Sequence, residues 1–309
     1  MSDMEASLPV LCLAGPTGAG KTALALRLAD RLHGEVVNCD SRQLYKDFPI
    51  ITAQPSAEEQ AHCPHHLYGW LDTDKTMDVA TWIGLAKEKI LEVRGRQHVP
   101  LLVGGTGMYF QHLLRGIAQV PPVDPALHQE LLSRLKSEGA PALHEELART
   151  DPDLAARLHP NDGQRIVRGL EVALGTEHTL SWWHVHAAGA PVCRGPLLCV
   201  NTPIKELEPR LARRIDIMLA MGAVREAEKA WAACPCEEAP GWSGIGCREL
   251  CLYLLKKLSL EEAKLLWLKN TRAYAKRQIT WFRGRREAIF IASDDVAACL
   301  DAFEKEMQP

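Results

Sequence analysis

Leu8-Pro-Val-Leu-Cys-Leu-Ala14 runs straight into Gly15-Pro16-Thr17-Gly18-Ala19-Gly20-Lys21-Thr22, a junction of apolar run and glycine loop that fixes the fold class. The apolar run is long enough for one buried strand. The second stretch carries two glycines with four residues between them, then Lys and Thr, which is the P-loop pattern. Backbone N–H groups in such a loop turn inward around a chain of phosphates, and the following helix aims its positive end at the same anion. Lys21 adds a point charge on the phosphates, and Thr22 a hydroxyl ligand for Mg2+. The motif predicts that residues 15–22 grip a di- or triphosphate. It leaves open whether that phosphate is transferred, used as fuel or discarded.

Outward from the loop, strand and helix patterns alternate. Residues 10–14 read as a buried strand, 22–32 as a helix with Leu24, Leu28 and Leu32 on one face, and 35–39 as a second strand ending at Asp40. Residues 78–94 read as a helix and 99–103 as a third buried strand, which ends in Gly104-Gly105-Thr106-Gly107. The expected fold is α/β: a P-loop NTPase-like core with a parallel β-sheet flanked by helices, its ligands at the carboxyl edge of the sheet.

The texture changes at Val120-Pro-Pro-Val-Asp-Pro125. From there to about residue 179 only helical patterns follow, over 126–138, 140–149, 153–158 and 162–174. We therefore expect residues 1–119 to form the first part of the core, 120–195 an inserted all-helical domain, and 196–309 the second part of the core, mainly helical and basic. Within the last part, 197–200 and 289–291 read as strands, and 206–231, 248–257 and 259–282 as helical stretches. The Pro- and Gly-rich segment 235–246 is expected to be mobile.

The chain has 309 residues, 47% of them hydrophobic and 24% charged, with a net charge of −3. Overall charge does not announce a nucleic-acid partner, but its distribution suggests one. Residues 264–286 hold no Asp or Glu, many Lys and Arg, and the aromatics Trp267, Tyr274, Trp281 and Phe282. Such a segment suits a phosphate backbone or a polyphosphate; a solvated helix face over buried aromatics is the alternative. The ten cysteines show no secreted-type framework. With no signal peptide and no run of transmembrane length, a reduced cytoplasm is the expected setting. Cys234-Pro-Cys236 and Cys247-x-x-x-Cys251 lack a matching pair at finger-like spacing, and His62-Cys63-Pro64-His65-His66 is read as structural before metal-binding.

Most P-loop proteins are NTPases or kinases, which need a carboxylate at a strand end to help hold Mg2+. The strand at 99–103 ends instead in Gly-Gly-Thr-Gly. Asp40 is the only acid at a strand end near the P-loop, and could serve a small-molecule kinase as the base for a hydroxyl. Its structural alternative is a cap on the next helix.

Seven segments in order resemble the tRNA dimethylallyltransferase family: Gly15 to Thr22, Asp40-Ser41-Arg42-Gln43-Leu-Tyr45, Thr52-Ala-Gln-Pro55, Pro64-His-His66, Leu102-Val-Gly-Gly-Thr-Gly-Met-Tyr109, His159-Pro-Asn-Asp162 with Gln164-Arg165-Ile166-Val167-Arg168, and Ala275-Lys-Arg-Gln-Ile-Thr-Trp-Phe-Arg283. The P-loop alone is unspecific; the ordered set, from about Val10 to Arg283, is highly specific. The resemblance implies transfer of a dimethylallyl group from dimethylallyl diphosphate to N6 of adenine 37, in tRNAs reading codons that begin with U. Diphosphate is then the leaving group, so the strand-end acid is not needed.

The resemblance also implies roles. Asp40 takes the proton from the adenine amine, Thr106 touches the bridging oxygen of the diphosphate, and Arg214 reaches the diphosphate, with Arg210 and Arg213 as close rivals. Asp40, Ser41, Arg42, Gln43 and Thr106 contact the target base and its neighbours. Gln164, Arg165, Ile166, Val167 and Arg168 form a tRNA-contacting cluster on the inserted domain. The chain departs from the family pattern twice. His128 stands where an arginine is common, which implies a weaker, pH-sensitive tRNA contact. Cys247 stands where a tyrosine is common, which removes a stacking ring. No zinc-finger extension of the eukaryotic kind follows, so a bacterial-type, soluble enzyme is expected; a monomer is expected as well. An adenylate isopentenyltransferase acting on free AMP, ADP or ATP, a small-molecule kinase and a regulatory ATPase are the rivals. The inserted domain favours RNA over a free nucleotide.

Overall fold

A computed structural model describes residues 8–307. The chain divides into two compact units at Leu114/Arg115 and Pro191/Val192, a few residues before the expected boundaries.

The first unit holds the sheets. Strand β1 (Leu8–Pro9) precedes β2 (Leu11–Ala14), which passes through the P-loop into α1 (Lys21–Leu32). Strand β3 (Gly34–Asn38), α2 (Ala57–His62), β4 (His65–His66), α3 (Val79–Gly95), β5 (Val99–Gly104) and α4 (Gly107–Arg115) follow. After the second unit come β6 (Cys193–Arg194) and β7 (Leu197–Val200). Six strands pair in the order β4-β3-β5-β2-β7-β8, all parallel, where β8 is Ala288–Ile291; β1 and β6 form a separate two-stranded sheet. The inner strands of a parallel sheet are covered on both faces and bury nearly every residue, while the edge strands β4 and β8 stay partly exposed. Leu11 to Ala14 and Leu197 to Val200 are buried throughout. Helix α1 adds Leu24 and Leu28 to the same core, with Leu32 partly buried against it. Asp78 caps α3, accepting the Thr81 N–H at 2.8 Å.

The order of strands matters for the site. β3, β5 and β2 are neighbours, so the loops leaving their carboxyl ends stand side by side. These are the loops that carry Asp40, Thr106 and the P-loop.

The second unit is helical: α5 (Pro125–Glu138), α6 (Ala140–Thr150), α7 (Pro152–Ala155), α8 (Gly163–Gly175) and α9 (Leu180–His186). Leu131, Leu143, Leu147, Ile166 and Leu170 make its core. Helix α9 lies beyond the patterns the sequence offered. Thr179 caps it, accepting the Trp182 N–H at 3.2 Å, and the Trp182 ring stacks on His178 with centroids 3.6 Å apart.

The remaining helices are α10 (Ile204–Ala220), α11 (Ala223–Ala233), α12 (Cys247–Leu254), α13 (Leu260–Arg283) and α14 (Val296–Met307). The expected single stretch over 206–231 is thus two helices. The break falls at Gly222, whose φ of 103° lies in the left-handed region that a residue with a Cβ rarely adopts. The segment 235–246, expected to be mobile, is pinned. Its Pro240–Ser243 turn buries Trp242 completely, edge-on to Phe48 at 4.9 Å.

Candidate active site

The P-loop joins β2 to α1 as expected. Lys21 folds back over it, donating from Nζ to the Gly15 carbonyl at 2.9 Å and the Pro16 carbonyl at 2.8 Å. Burial pulls the Lys21 pKa down to about 8; the Asp40 carboxylate opposes this and the Arg214 guanidinium adds to it.

Asp40 follows β3 and is held by Asn38. The Asn38 Oδ1 accepts the Asp40 N–H at 2.8 Å, and its Nδ2 donates to the Asp40 and Leu67 carbonyls at 3.1 and 2.9 Å. Asp40 Oδ1 accepts the Arg42 N–H at 3.0 Å, so one carboxylate oxygen caps the turn. The other, Oδ2, lies 3.3 Å from where a Cβ on Gly105 would stand. Residues 41–44 form a turn and α2 is capped by Ser56, so Asp40 caps no helix; its turn contact uses one oxygen and leaves the other for a base.

Thr106 sits on the loop after β5. Its Oγ1 accepts the Ser41 N–H at 3.0 Å and donates to the Ser41 Oγ at 3.4 Å. Arg42 Nη1 donates to Ser243 Oγ at 2.8 Å. Gln43 Nε2 donates to the Thr52 and Ala53 carbonyls at 3.1 and 2.6 Å, which leaves its carbonyl oxygen free of that tie.

Lys21, Asp40, Arg42 and Gln43 line two adjoining cavities, whereas Thr106 and Ser41 line neither. One, of about 440 Å3, is walled by Gly18 to Thr22 with Gln43, Arg210 and Arg214. The other, of about 260 Å3, is walled by Ile51, Leu211, Ile215, Met218 and Trp267, with Tyr274 and Arg277. Thr17, Asp40, Thr52 and Arg214 line both. Of the three arginines on α10, Arg214 stands at this junction, Arg210 reaches only the P-loop cavity, and Arg213 lines neither and is exposed. Burial lowers the Arg214 pKa, and Asp40 opposes that shift. An anion cradle thus opens onto an apolar pocket, with a carboxylate and a guanidinium at the seam. The arrangement suits a diphosphate with a short apolar tail.

Among the described residues there is no cluster of three or more His, Cys, Asp or Glu that could hold a metal. Thr22 lines the P-loop cavity, and one hydroxyl with substrate phosphates is a donor set that suits Mg2+. The histidines at 62–66 are used otherwise. His62 pairs with Asp30 at 2.8 Å, and His66, His98 and Arg96 all converge on buried Glu35 at 2.6 to 2.7 Å.

In the helical unit, Gln164, Arg165 and Arg168 are exposed on α8. Arg165 is ion-paired with Asp162; Arg168 pairs with Glu171 at 3.1 Å, and His128 approaches the same carboxylate at 3.6 Å. Two residues of the expected cluster need correction. Ile166 and Val167 are 0% and 2% exposed, because positions between the two arginines turn to the core side of the helix. Their side chains support the helix and are not available to RNA.

The basic segment is only partly open. Lys264 pairs with Asp216 at 2.7 Å and Arg272 with Glu208 at 2.9 Å, Arg285 lies 4.0 Å over the Trp281 ring, and Trp267 and Phe282 are buried. Cys247 is buried at the start of α12. Gln278 carries no local signal of a role, and its side chain is buried behind the P-loop. The motif at 275–283 marks the segment without saying which side chain turns inward.

The family model for IPP transferase matches residues 43–285. The chain belongs to the IPP transferase family. It is 55% identical to a tRNA dimethylallyltransferase of Desulfovibrio desulfuricans, over 96% of this chain and 92% of that protein. A tRNA dimethylallyltransferase of Anaeromyxobacter dehalogenans is 40% identical over 92% and 94%. Among solved structures, the full-length tRNA isopentenylpyrophosphate transferase of Bacillus halodurans superposes with a TM-score of 0.70 at 32% identity, covering 97% of this chain and 95% of that one. A eukaryotic dimethylallyltransferase acting on tRNA gives a TM-score of 0.80 at 28% identity, covering 97% and 77%. As in these IPP transferase relatives, the chain is a mixed α/β protein with a P-loop. No helix among the described residues is long and apolar enough to cross a membrane.

Proposed function

We propose that this chain transfers the dimethylallyl group of dimethylallyl diphosphate to N6 of adenine 37 in tRNAs reading codons that begin with U, and releases diphosphate. The junction of anion cradle and apolar pocket at Asp40 and Arg214 carries this reading. The cradle takes the diphosphate and the pocket the five-carbon tail, so the carbon that reacts lies near the seam. Adenine N6 is a weak nucleophile because its lone pair is delocalised into the ring. Asp40 takes its proton as N6 bonds to that carbon, and the C–O electron pair leaves with the diphosphate. Lys21, Arg214 and the loop N–H groups meet the charge that develops there, and Thr106 donates toward the bridging oxygen. Mg2+, when bound at Thr22 and the phosphates, neutralises part of the same charge. An acid at the end of β5 would serve phosphoryl transfer, and Gly104-Gly105-Thr106 offers none.

A target base in the anticodon loop can be extruded at modest cost, then held by stacking and its polar edge. Ser41, Arg42 and the free oxygen of Gln43 supply polar contacts. Gln164, Arg165, Arg168 and His128 read the RNA backbone. The enzyme acts as a monomer in the cytoplasm.

The deciding experiment supplies the protein with Mg2+, labelled dimethylallyl diphosphate, and either an anticodon stem-loop carrying A36-A37-A38 or free AMP. Label in the RNA is the expected result. Label confined to AMP would make the chain an adenylate isopentenyltransferase, and ATP hydrolysis without prenyl transfer would exclude both.

A further inference from the structure

Gln278 lies on α13, remote in sequence from the loops of the site, and it is only 5% exposed. Its Oε1 accepts the backbone N–H of Thr17 at 3.0 Å, and its Nε2 donates to the carbonyl of Gly105 at 2.9 Å. One side-chain amide thus joins the P-loop to the loop after β5. The approach is tight. A Cβ on Gly105 would lie 2.1 Å from Gln278 Nε2, which only glycine avoids. One turn along α13, the Trp281 ring packs on Gly107, where a Cβ would meet ring atoms at 2.3 Å. Gln278 itself lines neither cavity.

We infer that Gln278 is a positioning residue for the transfer step, setting the spacing between the diphosphate cradle at Thr17 and the Thr106 hydroxyl. This rests on the proposed reading of residues 15–22 as the leaving-group site. Donors stabilise developing charge only when they are already aimed at it, and a misplacement of about 1 Å can cost on the order of a hundredfold in rate. The task needs a donor and an acceptor at the end of one side chain. Asn is one methylene short, an ionised carboxylate has no donor, and Leu has neither. The carboxylic acid form of Glu has both, so Gln278→Glu should work when protonated and fail when ionised.

The test uses the full chain with dimethylallyl diphosphate and an anticodon stem-loop, alongside calorimetric binding of inorganic diphosphate. Gln278→Leu should lower kcat by about tenfold or more while the stem-loop KM stays within about threefold. Gln278→Glu should recover, its kcat relative to wild type rising by about fivefold or more from about pH 8 to about pH 6. Lys21 on the P-loop and Asp40, whose carboxylate stands beside Gly105, are present in both proteins, so the ratio removes their contribution. A loss smaller than about threefold in Gln278→Leu, or a pH-independent ratio for Gln278→Glu, overturns the inference. If Gln278→Leu does not fold, the ratio for Gln278→Glu decides alone. A wild-type chain that transfers no dimethylallyl group defeats the functional reading separately. The clamp is then judged by whether Gln278→Leu weakens diphosphate binding by about tenfold.

Discussion

Thr106 Oγ1 accepts the backbone N–H of Ser41 at 3.0 Å, which ties the loop after β5 to the loop after β3. The same hydroxyl is proposed to donate to the bridging oxygen, so one atom serves both architecture and chemistry. Thr106→Val should strand the Ser41 N–H and remove the donor, lowering kcat by about 10- to 100-fold. Thr106→Ser keeps the oxygen and should stay within about fivefold. Steady-state kinetics on both variants check this, and a Thr106→Ser loss with Thr106→Val near wild type would mean that the methyl group and not the hydroxyl matters.

Asp40 divides its two oxygens between the Arg42 N–H and the seam of the cavities. Asp40→Asn preserves the turn and removes the base. It should lower kcat by about 100- to 10,000-fold with stem-loop affinity nearly unchanged. Single-turnover rates and filter binding separate the two effects. A matching loss of affinity would make Asp40 an anchor for the adenine in place of its base.

Lys21 gives a pH signature. With burial holding its pKa near 8, it is charged below that value and neutral above it before a ligand binds. Binding of diphosphate above about pH 8 must therefore take up a proton, and affinity should fall by up to about tenfold per pH unit there. Calorimetry with inorganic diphosphate in buffers of different ionisation enthalpy measures the uptake. Lys21→Met should bind more weakly and lack this component, leaving only the titration of diphosphate itself.

Local motifs made much of this molecule legible. The P-loop, the strand ending at Asp40 and the Gly-Gly-Thr-Gly turn each declare themselves within a few residues, because an anion cradle and tight turns need particular residues at fixed offsets. Gln278 was not legible, since its partners Thr17 and Gly105 are 261 and 173 positions away. The motif at 164–168 is contiguous in sequence, although a helix turns consecutive residues to opposite sides. The amphipathic period separates exposed Arg165 and Arg168 from buried Ile166 and Val167. A lone glycine is tolerated inside helices, so Gly222 gave no firm stop signal, and only its backbone angle reveals the break.

That separation on α8 is itself testable. Arg165→Ala should weaken stem-loop binding by about 3- to 10-fold and reduce the salt slope by about 1, with diphosphate binding unchanged. Ile166→Ala should instead cost the helical unit roughly 2–4 kcal/mol of stability through a core cavity. Salt-dependent binding and thermal denaturation distinguish the two. An Ile166→Ala chain that keeps its Tm and loses RNA affinity would return Ile166 to the contact surface.

Glu35 predicts how the core responds to acid. It is 1% exposed, and Arg96 holds its carboxyl at about 2 through hydrogen bonds at 2.9 and 2.7 Å; burial opposes this, while His66 and His98 reinforce it. A carboxyl depressed on folding contributes stability at every pH above its unfolded value of about 4.3, and loses it as pH falls toward the folded value. The window is therefore about pH 5 down to about pH 2. Arg96 is half-exposed, so solvent screening brings the contribution to roughly 1–2 kcal/mol. Glu35→Gln should be less stable at neutral pH, and its urea midpoint should fall less steeply than wild type across that window. Parallel acid limbs in the two proteins would show that the cluster at Glu35 contributes nothing to acid sensitivity.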